Sequence, residues 1–213
     1  MISAERKGFP AAARWCVAIW LVVWVPAYWK TWGAVNFLHF CDIAALLTCM
    51  GFLFDSTLLL SSQAVGAIVV DAMWTLDVAW KLVFGHHFVG GTEYMFDSKY
   101  PLWVRLLSLF HVGMPPILLW AIRRNGYDRR GLALQSFIAA AVFVVSRFTD
   151  PALNSNYVYS DPFFHRQFGP APLHLGCCVA FMVFVVYWPT DFFLTRFATK
   201  TQRRGANERA PLY

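Results

Sequence analysis

Residues 15–32 read Trp15-Cys16-Val17-Ala18-Ile19-Trp20-Leu21-Val22-Val23-Trp24-Val25-Pro26-Ala27-Tyr28-Trp29-Lys30-Thr31-Trp32, with a single charge at Lys30. A basic start, Arg6, Lys7 and Arg14, precedes the run, as it would in a signal peptide. Past Pro26, however, a cleavage site would need small residues, and Tyr28, Trp29 and Trp32 stand there instead. The run is therefore expected to be a retained helix, close to the ~20 apolar residues that cross a bilayer.

The rest of the chain has the same character. Of its 213 residues 58% are hydrophobic and 14% charged, with mean hydropathy +0.48. Soluble domains carry about 25% charged residues, so the polar surface of a soluble enzyme is lacking. Disorder is excluded for the same reason. The five cysteines, Cys16, Cys41, Cys49, Cys177 and Cys178, all fall in apolar segments and imply no disulfide framework. The net charge of +6 comes from residues at segment ends, not from one patch, so no nucleic acid is expected as a partner.

Five further apolar segments follow at about 37–54, 57–84, 102–122, 132–148 and 171–197. The expected fold is all-α, a polytopic bundle of six transmembrane helices spanning 15–198. A cytoplasmic segment (1–14) precedes it, and a mobile basic tail (199–213) follows. Pro115-Pro116 should break or kink the fourth helix, because neither residue donates a backbone hydrogen bond.

With the N-terminus inside, twelve of the 18 Lys and Arg residues fall on the inner side. They are Arg6, Lys7, Arg14, Arg123, Arg124, Arg129, Arg130, Arg196, Lys200, Arg203, Arg204 and Arg209. That bias predicts a multi-pass protein of the cell (inner) membrane with both termini cytoplasmic. Tryptophans such as Trp29, Trp32 and Trp103 suit interfacial belts.

Ionisable groups inside spans are functional candidates, since insertion costs about 2.5–3.5 kcal/mol each. In this topology His39, Cys41, Asp42, Asp77, His111 and His174 all fall in the outer half of the bilayer, a placement that permits one outward-opening polar pocket with Asp77 among its residues. Cys41 lies ~6 Å and His111 ~13 Å from the outer ends of their helices, at 1.5 Å per residue. The inner half looks nearly dry apart from Gln63 and Gln135. Cys41 opens a helix, where N–H groups and the helix dipole favour a thiolate. The other four cysteines read as small apolar residues. Asp77 and Lys81, four residues apart, suit a structural ion pair. His86 and His87 read as solvated loop residues, and Asp71, the deepest carboxylate, needs a partner.

Leu38-His39-Phe40-Cys41-Asp42-Ile43-Ala44, Ser108-Leu109-Phe110-His111-Val112 and Asn154-Ser155-Asn156-Tyr157-Val158-Tyr159 together resemble the YwaF-like integral membrane proteins. The order is also similar to distant relatives, the transmembrane Cys/His acyltransferases of phospholipids. More remotely it resembles the androgen-induced membrane hydrolases of fatty-acid esters. The resemblance covers residues 36 to 160. It implies Cys41 as nucleophile and His111 as base, with His39, Asp42, Asn156 and Tyr157 as pocket neighbours. The second long loop, 160–170, matches no part of that pattern.

Three functions follow as expectations. The first is a lipid-active acyltransferase or ester hydrolase, taking a membrane lipid ester and needing no cofactor or metal. The second is a non-enzymatic small transporter or partner subunit lined by Asp71, Asp77 and Gln63. The third holds haem or a metal through His39, His111 and His174, although no C-x-x-C-H or H-E-x-x-H motif is present. Oligomeric state is left open.

Overall fold

Helix α3, Thr57–Phe84, is the element around which the others assemble in the computed structural model, which describes residues 8–162 and 164–207. Its first half is rich in small residues, and Ser61, Ser62, Gln63, Ala64, Val65, Gly66 and Ala67 are all buried. Ser56 caps its start by accepting from the Leu59 N–H, and Gly85 ends it in the left-handed conformation at φ 79°. The predicted span 57–84 and the observed helix coincide because both ends carry such stop signals.

Against α3 pack α2 (Phe40–Leu53), α5 (Phe110–Asn125) and α6 (Arg130–Ser146). The α3–α6 approach is so close that a Cβ at Gly131 would sit 2.9 Å from the Ser61 carbonyl carbon and the Ser62 nitrogen. Small residues at such crossings let two backbones meet. The chain begins with α1 (Ala11–Trp32), packed on α2 and on the short α4 (Leu102–Leu107). Trp24 of α1 is fully buried, its ring 4.7 Å from Trp20, 4.8 Å from Tyr28 and 5.4 Å from Phe37. Arg14 pairs with Asp55, whose other oxygen accepts from the Phe9 N–H.

A last long helix comprises α7 (Ala171–Phe181), a π-helical stretch (Met182–Tyr187) and α8 (Trp188–Asn207). Helix therefore continues eight residues beyond Thr199, where a mobile tail was expected; residues 1–7 and 208–213 lie outside the described ones. Arg196 lies 4.0 Å from the Phe192 ring one turn earlier on the same helix.

Three stretches, Ala11–Trp32, Leu102–Asn125 and Ala171–Thr199, are long and apolar enough to cross a membrane; Phe40–Leu53 and Arg130–Ser146 are shorter apolar helices. Large apolar side chains face outward in stripes: Trp15, Ile19 and Val22 on α1, Phe184, Trp188 and Phe192 near the C-terminal end. Stripes of that extent suit contact with lipid chains.

Two expectations are corrected. The fourth segment is interrupted at Ser108–Leu109, not at the prolines, and α5 runs through Pro115 and Pro116. Three-residue hydrogen bonds, Ser108 to Arg105, Leu109 to Leu106 and His111 to Ser108, tighten the chain there. Pro115 and Pro116 remove the backbone donors that would serve the His111 and Val112 carbonyls, yet the helix continues through them. Nor is the end of the bundle that holds the α3 N-terminus dry. Besides Gln63 and Gln135, joined at 3.3 Å, it buries Ser61, Ser62, Thr48, Thr57 and Tyr187, and Tyr127 donates to Asp191 at 2.5 Å. Hydroxyls leave no hydropathy minimum in the sequence: Ser62 donates to the Leu59 carbonyl and Ser61 accepts from the Asp128 N–H, so each is absorbed by the backbone around it.

Candidate functional site

At the other end of the bundle, a cavity of about 310 Å³ opens between α1, α2, α3, α5 and the loop after α3. Tyr28, Trp32, Asn36, His39, Cys41, Asp42, Trp74, Gly91, Tyr94, Tyr100 and His111 line it. Of the residues singled out from the sequence, Cys41, His111, His39 and Asp42 therefore share one space.

Cys41 and Asp42 stand in the first turn of α2, which follows a 3-10 turn (Ala34–Leu38) with His39 at the N-cap. The sulfur lies near the N–H groups of its own residue and of Asp42. Those donors are available because a helix start leaves its first N–H groups without intrahelical acceptors. Asp42 is buried, and Asn36 donates to its Oδ2 at 2.6 Å. The His39 Nδ1–H donates to the Asn36 carbonyl at 2.9 Å, fixing the entry to the helix.

His111 is buried in the first turn of α5. Its Nδ1–H donates to the Ser108 carbonyl at 2.7 Å, so in the neutral ring Nε2 is left as an acceptor. The ring is held flat between Trp74, 4.3 Å away at 9°, and Phe110, 4.1 Å away at 21°. The break at Ser108–Leu109 is thus part of the site: Ser108 supplies the carbonyl for His111, and its hydroxyl bonds the Tyr28 hydroxyl at 2.5 Å. No hydrogen bond joins Cys41 to His111 among the described residues; they face a common volume.

Three expected pocket neighbours lie elsewhere. Asp77 does not line the cavity. One oxygen accepts from the N–H groups of Phe88, Val89 and Gly90 at 2.7, 2.7 and 3.0 Å, the other from His87 Nδ1 at 2.8 Å and from the Thr92 hydroxyl. It knots the 85–101 loop, and the expected pair with Lys81 is not formed: Lys81 donates to the Gly85 carbonyl at 2.6 Å. His87, expected to be solvated, belongs to this knot. A loop turning back on the helix end offers more convergent donors than one lysine.

Asn156 stands behind the site. It donates to the Leu38 carbonyl at 2.8 Å and to Ser146 Oγ at 2.9 Å, and accepts from the Phe40 N–H at 3.3 Å. One loop side chain thereby clasps the start of α2 to the end of α6. Tyr157 is 42% exposed with φ 61°, a left-handed conformation costly for a bulky residue. Its hydroxyl approaches Gly91 at the cavity edge.

His174 is removed from the cavity histidines. Its Nε2–H donates to the Tyr157 carbonyl at 3.0 Å, and its Nδ1 accepts from the Phe168 N–H at 3.2 Å. Both ring nitrogens are thus engaged, which takes it out of a three-histidine ligand set. Among the described residues no group of three or more His, Cys, Asp or Glu converges as a metal site. The other four cysteines are free thiols away from the cavity.

What the sequence did not disclose is the aromatic wall. Tyr28, Trp32, Trp74, Tyr94 and Tyr100 line the cavity. Trp32, expected in an interfacial belt, faces inward with its ring 4.7 Å from Tyr28, 5.6 Å from Tyr94 and 5.3 Å from Tyr100. Asp71 is fully buried one helical turn before Trp74 and has no hydrogen-bond partner on either oxygen among the described residues. It lies within electrostatic reach of Asp42 and Cys41.

No family model, no curated protein and no solved structure matches the chain.

Proposed function

We propose that this chain is a six-span protein of the cell membrane, both termini cytoplasmic, that transfers or hydrolyses an acyl group of a lipid ester. Cys41 is its nucleophile and His111 its base. The observation that carries this is the shared cavity: a thiol at a helix start and an imidazole with a free Nε2, on different helices, face the same volume.

The chemistry runs in two balanced halves. Nε2 of His111 takes the thiol proton, and the thiolate adds to the ester carbonyl. The tetrahedral oxyanion forms beside the N–H groups at the start of α2. The carbon–oxygen bond then breaks, His111 returns the proton to the departing alcohol, and a thioester remains on Cys41. Water or a second lipid hydroxyl, deprotonated by His111, adds to the thioester; the thiolate leaves and is reprotonated. A site near the outer end of α2 meets lipid esters at the boundary of headgroup and acyl chain.

A lipid-like fluorophosphonate or acylating probe is expected to label the wild-type protein at Cys41 and to leave Cys41→Ala unlabelled. Labelling that survives in the variant overturns the assignment. The topology is checked separately. Alkaline phosphatase fused within residues 149–170 is expected to be active in cells, and the same reporter fused after residue 205 inactive. Equal activity at both positions contradicts the orientation drawn from the Lys and Arg distribution.

A further inference from the structure

The cavity wall has a composition that acyl transfer does not require. Five of the eleven lining residues are Trp or Tyr, one is the buried Asp42, and none is Lys or Arg. The rings meet at steep angles, Trp32 at 78° to Tyr94, 74° to Tyr28 and 51° to Tyr100, as in an open box. The Trp74 Nε1–H donates to the Tyr94 hydroxyl at 3.1 Å, tying the box to α3. Behind it stands Asp71, with neither oxygen hydrogen-bonded among the described residues.

Aromatic faces carry negative potential and attract cations that cannot donate hydrogen bonds, above all quaternary ammonium groups. The Asp42 carboxyl in the lining, with no lysine or arginine among the lining residues to compete for it, supplies a counter-charge when a fixed cation enters. The volume of about 310 Å³ lies at the lower end of small-molecule pockets, suited to a headgroup and not to a whole lipid.

We infer that this aromatic box binds a quaternary ammonium group, with Trp32 as its central wall and Asp42 as its counter-charge. This rests on, and deepens, the proposal of a lipid-ester site, since it makes the substrate a choline-headgroup lipid. The trimethylammonium enters between Trp32, Tyr94 and Tyr100, which sets the glycerol esters on the side of Cys41 and His111. Free choline carries the same group, so both sources satisfy the chemistry of the box.

The test is equilibrium binding to the full-length protein in detergent, made in a Cys41→Ser background so that no turnover intervenes. The ligands are choline, tetramethylammonium, ethanolamine, and short-chain phosphatidylcholine and phosphatidylethanolamine. Saturable binding of at least one quaternary ligand is expected, with ethanolamine counterparts at least tenfold weaker. Trp32→Ala should weaken quaternary binding about tenfold, and Trp32→Phe, which keeps a ring face, should stay within about threefold of the parent. Binding of phosphatidylcholine without choline identifies a lipid headgroup as the source; the reverse identifies a free cation. Equal affinity for ethanolamine ligands, no saturable quaternary binding, or indifference to Trp32→Ala with the protein folded overturns the inference. If binding fails while Cys41 still labels in the wild type, only the headgroup assignment falls; if labelling fails while binding holds, only the acyl chemistry does.

Discussion

Asp77→Ala is expected to destabilise the cavity end of the bundle by about 3–5 kcal/mol, on the scale of breaking a buried charged network. The carboxylate accepts from three successive backbone N–H groups, from His87 and from Thr92, and is 1% exposed. Truncation leaves those convergent donors without their shared acceptor. Asp77→Asn is the sharper variant, keeping size but turning one acceptor into a donor aimed at donors. The effect should be local in origin: hydrogen exchange at Phe88, Val89 and Gly90 accelerates first, then the thermal midpoint falls. Because Gly91, Tyr94 and Tyr100 reach the cavity from this loop, ligand binding is lost with it. A variant that keeps wild-type exchange at 88–90 contradicts the knot.

The second large effect falls on rate and spares the fold. His111→Ala should slow acylation of Cys41 about 10²–10⁴-fold, the usual contribution of a positioned general base. The ring is stacked between Trp74 and Phe110 and tethered through Nδ1 to Ser108, so Nε2 is held in one direction. His111→Gln restores an acceptor of nearly the same reach but no proton shuttle, and should be as slow as alanine while melting nearer to wild type. His174→Phe is the contrast. It loses the bonds to Tyr157 and Phe168 and should lower the thermal midpoint while leaving labelling of folded protein unchanged. Equal rates for His111→Ala and wild type would remove His111 from the chemistry.

How much of this was legible in the sequence divides by physical cause. Apolar length is additive along a chain, so α3 was found residue for residue and α1 only four residues late at its start. The shared side of His39, Cys41, Asp42 and His111 also followed, because depth along a helix depends only on residue number. What failed depends on facing. Asp77 has the depth of a pocket residue but points to the loop, and His174 points to Tyr157 and Phe168. Tyr28 and Trp32 lie on one face of α1, Trp29 on another, yet all three look alike to a count of interfacial aromatics. The break at Ser108–Leu109 was misplaced because no proline or glycine marks it; it consists of three-residue hydrogen bonds around Ser108, which the residue types do not announce. The loop tyrosines Tyr94 and Tyr100 come to the cavity through distant contacts, the Asp77 knot and the Trp74–Tyr94 hydrogen bond among them, that no local pattern encodes.

The clasp made by Asn156 bears on the order in which the molecule matures. Its partners at Leu38 and Phe40 lie 118 and 116 positions earlier in the chain, so the α2 start is fastened only once most of the polypeptide has left the ribosome. Until then the segment bearing Cys41 lacks its final bearing relative to α5. The start of α2 thus takes its bonds to Asn156 only in the last third of synthesis.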